Sequence, residues 1–480
     1  MSSTNVKKVF FWILVCLFLL VAPVIVIYSM GYRFSFERGV FIYSGSITIK
    51  PTPREVEIFL DNKRVSTGMV NFLNYSYHMG SILPGRYVLE VKAPGYLSWA
   101  KEVYVHSGVS TEFWNTFLVR ENYTQVVYPT KQAESFFISP DGKRVALVER
   151  GEGETWVKIL DIKKEEILYA FNFVGYNFSA NKKDNIEWSP KEGRLAVPME
   201  KDGKKEYFII SIGDEEVFNL NEKLKTENIR KLRWSSGDRN TLFYIQDEKL
   251  FRLDLDNLES SLEVANNLAS YDLSGSNIYY FSKENGIIYQ KNISGRGEAT
   301  QITTQSIAAK SGDDFELIAY DEDRIAVIDQ DKKLYLYNQG EVESGIKELA
   351  TDVLGVHFSN DGKKIALWSN NEIAVYFVRK WETQPARTEG QKIDIVRFSQ
   401  PISNVGWFKD YEHLIFSTGN QIKIVELDNR SLKNINNLVT LKDNVTKANY
   451  NVREDNLFYV DKAIEAGGLC SISLTEENKD

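Results

Sequence analysis

The chain has 480 residues, with 58 basic against 66 acidic side chains and a formal net charge of −8. The charge is spread without long runs, which excludes the basic footprint of a nucleic-acid-binding domain. Only two cysteines occur, Cys16 inside an apolar run and Cys470 near the end, so no disulfide framework is expected.

The first element is the apolar run over residues 9–28, VFFWILVCLFLLVAPVIVIY, twenty residues without a charge. At about 1.5 Å per residue, a helix of that length crosses the roughly 30 Å hydrocarbon core of a bilayer. A cleaved signal peptide would have a shorter apolar region and a small-residue cleavage site, and Tyr28-Ser29-Met30-Gly31-Tyr32 offers none. The expectation is a retained single-pass anchor over residues 9–30, with the lipid bilayer as its partner. Lys7 and Lys8 precede the run, whereas Arg33, Glu37 and Arg38 follow it with mixed sign. The positive-inside rule then places residues 1–8 in the cytoplasm and the remaining chain outside the cell membrane. Tyr28, Tyr32, Phe34, Phe36, Phe41 and Tyr43 crowd the exit, as rings at headgroup level do; for Phe41 and Tyr43, packing in the first folded domain is an equal expectation.

From Gly45 the pattern changes to period-two alternation: Ile47 and Ile49, then Val56, Ile58 and Leu60, then Tyr87, Leu89 and Val91. Turn residues separate these runs at Asp61-Asn62, Pro84-Gly85, Pro94-Gly95 and Ser107-Gly108. The reading is a small antiparallel β-sandwich over residues 44–120. Pro53, Asp61-Asn62, Pro84-Gly85 and Gly95-Tyr96 stand where the PEGA domain has its turns, and the segment resembles that family. It departs from the family at Arg54-Glu55-Val56, and the Gly-x-Thr-Pro element is weak around Thr67-Gly68. The resemblance implies an extracytoplasmic spacer or interaction module of a membrane-anchored bacterial surface protein. Tyr96 and Trp99 are expected in its core rather than as an aromatic ligand platform.

The remaining chain repeats itself. FFISPDGKRVALVE from Phe136, IEWSPKEGRLAVPM from Ile186 and VHFSNDGKKIALWS from Val356 each read as strand, polar turn, strand. Weaker copies align on Trp234, Leu273, Tyr320, Trp407 and Asn451, giving spacings of 38 to 50 residues from Ile138 onward. Four-stranded propeller blades need about 40–50 residues each. One blade cannot cover both faces of its own sheet, so blades stack into a ring. Ser139 to Lys143 matches the Ser-Pro-Asp-Gly-Lys turn of the WD40-like, TolB-type propeller repeat, which this segment resembles. The fold class is therefore all-β: an N-terminal transmembrane helix, a small PEGA-like sandwich and a seven- or eight-bladed β-propeller over residues 121–476. Residues 123–128 could supply the outermost strand of the last blade.

No catalytic constellation rises above background. There is no G-x-S-x-G, S-x-x-K, H-E-x-x-H or Walker A sequence, and too few residues follow the last repeat for a fused hydrolase. Asp254-Leu255-Asp256 and Asp329-Gln330-Asp331 lack the glycine and distal glutamate of a calcium loop, so they read as solvated turns. The histidines His78, His106, His357 and His413 are dispersed. No catalytic residue, cofactor or metal site is expected. One register stands out. Glu187, Arg233, Asp272 and His357 each precede the aligned apolar residue of a repeat, so they form a candidate binding ring at one mouth of the channel, alongside a plainer reading as ion-paired surface groups. The expected role is that of a membrane-anchored extracytoplasmic scaffold presenting the propeller to a protein or cell-envelope polymer. The alternative is an envelope glycan-acting enzyme using the propeller funnel, which would need paired carboxylates there.

Overall fold

The computed structural model describes residues 3–36, 38–65, 70–71, 74–179, 185–191, 193–238, 240–308, 314–464 and 467–475. Glu37, Thr67, Gly68 and the ends of the ranges 1–8 and 121–476 lie outside them.

The chain divides into two compact units. The first holds Met1–Asn122 together with two short segments from later in the chain, Glu382–Ala386 and Glu426–Asn434. It begins with a helix, Ser3–Ser29. Within Lys7–Ser29, an 18-residue window has a mean hydropathy of 3.1 and is 0% buried, so the helix is long and apolar enough to cross a membrane. A β-hairpin follows, Tyr32–Ser35 against Val40–Tyr43, an element absent from the expectation above. Its rings pack on one another: Phe34 lies 5.3 Å from Phe41 and Tyr32 lies 5.2 Å from Tyr43. Phe41 and Tyr43 remain partly exposed, so they do not enter the domain core.

Two four-stranded sheets then form the sandwich. One runs in the order Ser110–Phe117, Gly45–Thr52, Ser76–Ile82, Val70–Asn71; the other runs Lys63–Arg64, Glu57–Leu60, Gly85–Lys92, Trp99–Val105. Ile47, Ile49, Leu89, Val91 and Val105 are fully buried between them, as the alternation requires. The sandwich is not wholly antiparallel, because Ser110–Phe117 runs parallel to Gly45–Thr52. The closing strand arrives from the other sheet across the turn at Ser107-Gly108, so no hairpin forces it to oppose its neighbour. Trp99 is buried at 3% exposure, which removes it from any ligand platform.

The second unit is a β-propeller made of successive antiparallel sheets. Eight of them are seen among the described residues, each a meander that begins near one of the aligned repeat positions. The first contains Ala133–Ile138, Arg144–Arg150, Glu154–Asp161 and Glu166–Val174; the sixth contains Gly355–Phe358, Lys364–Trp368, Glu372–Phe377 and Lys392–Arg397. Second strands such as Arg144–Arg150 are buried over five consecutive residues, because neighbouring sheets cover both faces. Ala146 and Val148 pack with Leu195 and Val197 of the next sheet, and Ala326 packs with Ile365 in the same manner. In the last sheet the order is Gln125–Val127, Gly468–Ser473, Asn456–Asp461, Ala448–Asn451. The strand preceding the first repeat thus supplies the outermost strand of the last sheet, with Val126 opposite Ser471. Tyr128, Phe136, Val145 and Phe458 form one cluster across that junction.

The repeat turn explains its own sequence. Ser139 Oγ donates to Asp141 Oδ1 at 2.6 Å, and Asp141 accepts the Lys143 amide at 3.0 Å. Gly142 takes φ +79 and Gly362 φ +65 in the equivalent turn, a left-handed conformation that disfavours a Cβ.

Candidate functional site

First strands of successive sheets lie against one another, as Glu187–Trp188 does against Arg230–Trp234 and Leu268–Ser274 against Glu316–Asp321, as expected of strands nearest the axis, and the aligned residues sit on them. Trp188 Nε1 donates to the Phe137 carbonyl at 3.0 Å, Trp234 Nε1 to Glu187 at 3.0 Å, and Trp407 Nε1 to His357 at 2.9 Å. Each indole therefore ties its sheet to the residue before the aligned position of the previous sheet. Where the fifth sheet has Ala319-Tyr320 instead, the Ala319 amide donates to Asp272 Oδ2 at 2.9 Å.

Of the four candidate ring residues, the structure joins three. Glu187 and Arg233 form an ion pair at 2.8 Å, their side chains 26% and 28% exposed. Burial raises the Glu187 carboxyl above its ordinary range, the Arg233 charge opposes that, and Asp272 adds to it. Asp272 is likewise raised chiefly by burial, against the amides of Ala319 and Leu273 and the charge of Arg233. Both acids are engaged: Glu187 holds Arg233, and Asp272 accepts two backbone amides.

A neighbouring lysine escaped the sequence reading. Lys231 is buried, and its Nζ donates to the carbonyls of Ala269 (3.1 Å) and Phe315 (2.7 Å) and to Ser270 Oγ (3.0 Å). Tyr271 returns a bond from its hydroxyl to the Lys231 carbonyl at 2.6 Å. This stretch of the inner wall is thus crosslinked by its own polar groups.

His357 stands apart from that cluster. Its side chain is accessible, and burial alone lowers its imidazole pKa. A group both wetted and surrounded by protein lines a recess. That recess, about 280 Å³, is walled by His357, Asn360, Asn404, Trp407, Lys447 and Asn449 among others.

The acidic pairs weighed as calcium loops cap turns instead. Asp254 accepts the Asp256 amide at 3.0 Å, and Asp329 accepts the Lys333 amide at 2.8 Å. His413 contacts Asp410 through Nδ1 at 2.7 Å.

These features define the class: an all-β chain with an N-terminal apolar helix and a β-propeller. No protein-family model matches the chain, and no curated protein matches it. Solved structures similar to it include the Cps50 (Swd1) β-propeller domain of Myceliophteria thermophila, at 10% identity and a TM-score of 0.43, covering 74% of this chain and 99% of that one. The Dos1 propeller is similar at 12% identity and 0.49, covering 74% and 95%. A eukaryotic initiation factor is similar at 14% identity and 0.47, covering 75% and 91%. The propeller is defined by its own sheets, independently of these likenesses.

Proposed function

We propose that this protein is a membrane-tethered binding scaffold whose propeller, carried by a PEGA-like spacer, presents an interaction surface outside the cytoplasmic membrane to a protein or cell-envelope polymer. The observation that carries the reading is the charge-free run over residues 9–28 of the first helix, apolar and with none of its residues buried. A long apolar surface left without protein cover needs lipid. Lys7 and Lys8 precede it, and Arg33 beyond it is engaged locally, with its Nη1 donating to the Tyr28 carbonyl at 2.8 Å. That asymmetry supports an exported C-terminal bulk. The eight sheets support an eight-bladed ring of the WD40-like, TolB-type kind, and the turn residues support the PEGA-like spacer. The engagement of Glu187 and Asp272 in structural bonds favours binding over glycan cleavage, which needs two free carboxylates.

The test is membrane fractionation of the full chain followed by protease treatment of intact cells. Retention in the membrane pellet after alkaline carbonate, with digestion of the propeller from outside, is expected. Release by carbonate would overturn the anchor, and a protected propeller would overturn the orientation.

A further inference from the structure

Around the inner wall, one sector differs from the rest. Glu187, Arg233, Asp272 and Lys231 are matched to partners, whereas the recess at His357 holds some donors that meet no acceptor among the described residues. Among the described residues, the Lys447 ammonium meets no carboxylate and no carbonyl. It lies over the face of the Phe137 ring, 5.0 Å from the centroid. Burial holds the ammonium below the usual lysine range, the mark of a cation without a counter-charge. The Asn449 amide and the His357 ring also form no hydrogen bond among the described residues, and both are accessible. No acidic side chain lines the recess. Asn404 is oriented by its own bond to Ser417 Oγ at 2.7 Å, and the Trp407 indole is fixed by its latch to the His357 carbonyl at 2.9 Å. The wall is therefore preorganised.

We infer that this recess binds a carboxylate, held by the Lys447 ammonium with the Asn449 amide and the His357 ring as flanking donors, its organic stem lying against Trp407. A charge-assisted bond of this kind is strong where the cation has no competing partner. At about 280 Å³ the recess is near the lower limit for small-molecule pockets, ~300 Å³, so it takes one acidic unit rather than a length of polymer. Two sources share that chemistry, an acidic amino-acid residue and a uronic acid sugar. The site goes beyond the tethered-scaffold reading and does not depend on the membrane.

The experiment uses the full chain in detergent micelles and titrates N-acetylglutamate and galacturonate by calorimetry, with N-acetylglutamine and galactose as neutral counterparts. At least one acid is expected to bind saturably while its neutral counterpart does not; which acid binds identifies the source. Lys447→Gln is expected to weaken binding at least about tenfold, with exposed Lys442→Gln unchanged. Asn449→Asp, on an accessible side chain, places a negative charge in the recess without emptying it and should abolish binding even if Lys447→Gln folds poorly. Absence of saturable binding by either acid up to about 10 mM, or Asn449→Asp binding as the parent does, would overturn the site.

Discussion

Lys101 Nζ lies 2.6 Å from Glu426 Oε1, with the two side chains 0% and 4% exposed. Both belong to the first compact unit, to which Glu426–Asn434 contributes from far along the chain. The pair is fully provisioned. Lys101 also donates to the carbonyls of Asp428 (2.8 Å) and Leu432 (3.0 Å), and the second Glu426 oxygen accepts the Trp99 indole at 3.0 Å. Buried charges persist only with such satisfaction.

Removing one partner leaves the other charged and buried. Lys101→Met is expected to destabilise this unit by about 3–5 kcal/mol, read from urea unfolding. The double variant Lys101→Met/Glu426→Leu should recover much of that loss, because no charge is stranded. A double variant no better than the single one would show that the pair does not carry the effect.

The indole latches give the second prediction. Trp188→Phe and Trp234→Phe keep most of the ring but strand the carbonyls of Phe137 and Glu187. Each is expected to cost about 1–3 kcal/mol in propeller stability, measured by thermal or urea unfolding. Because both latches end on neighbouring inner strands, the double variant tests whether the costs add. Losses within a few tenths of a kcal/mol would show the hydrogen bonds to be incidental.

Legibility in the sequence followed the distance over which each interaction acts. The repeat turn was readable because Ser139, Asp141 and Gly142 satisfy one another within a few residues. The aligned tryptophans were readable as a register but not as latches, because their acceptors are backbone carbonyls of the preceding repeat, which no side-chain identity encodes. Lys231 and Lys101 stayed hidden for the same reason. A buried lysine is unexpected by residue type, and its partners lie on other elements. The ring register placed Glu187, Arg233 and Asp272 on neighbouring inner strands, yet the unmatched ammonium of Lys447 could be recognised only by knowing which charges were already matched. The hairpin over residues 32–43 was missed because its aromatics fit an interfacial belt equally well and its strands are only four residues each.

The third prediction concerns acid. Burial works against the charged form of Asp410, but the pairing with His413 and the amides of Glu412 and His413 outweigh it and hold its carboxyl below the ordinary range. A lowered folded value means that stability is present above the unfolded-state value of about 3.9 and is lost as pH falls through the folded value. Glu412, raised chiefly by burial despite Lys364 at 2.6 Å, has the opposite sign and is common to both proteins compared. Asp410→Asn should therefore be less stable than the parent at about pH 5, with the gap closing as pH falls below about 4. A gap that does not change with pH would show that the Asp410 charge contributes nothing.

The last prediction concerns the hairpin that follows the apolar helix. The Ser44 amide donates to the Gly31 carbonyl at 3.0 Å, and the Arg33 guanidinium lies 5.0 Å from the centre of the Tyr28 ring, so the hairpin is pinned to the end of the helix. At its turn Phe36 is 90% exposed, touched edge-on by the Phe34 ring at 5.2 Å and otherwise open to solvent. If the helix spans a bilayer, this hairpin lies at headgroup depth, where an exposed aromatic gains contact with lipid. In a background with Cys16→Ser, Phe36→Cys carrying an environment-sensitive fluorophore should emit at shorter wavelength in liposomes than in buffer-exposed controls and should resist quenching by iodide. The control is Val342→Cys, at a propeller position 77% exposed. Shielding at residue 36 with free quenching at residue 342 is the expected result. Equal quenching at the two positions would place the hairpin in water and leave the apolar helix without its interfacial foot.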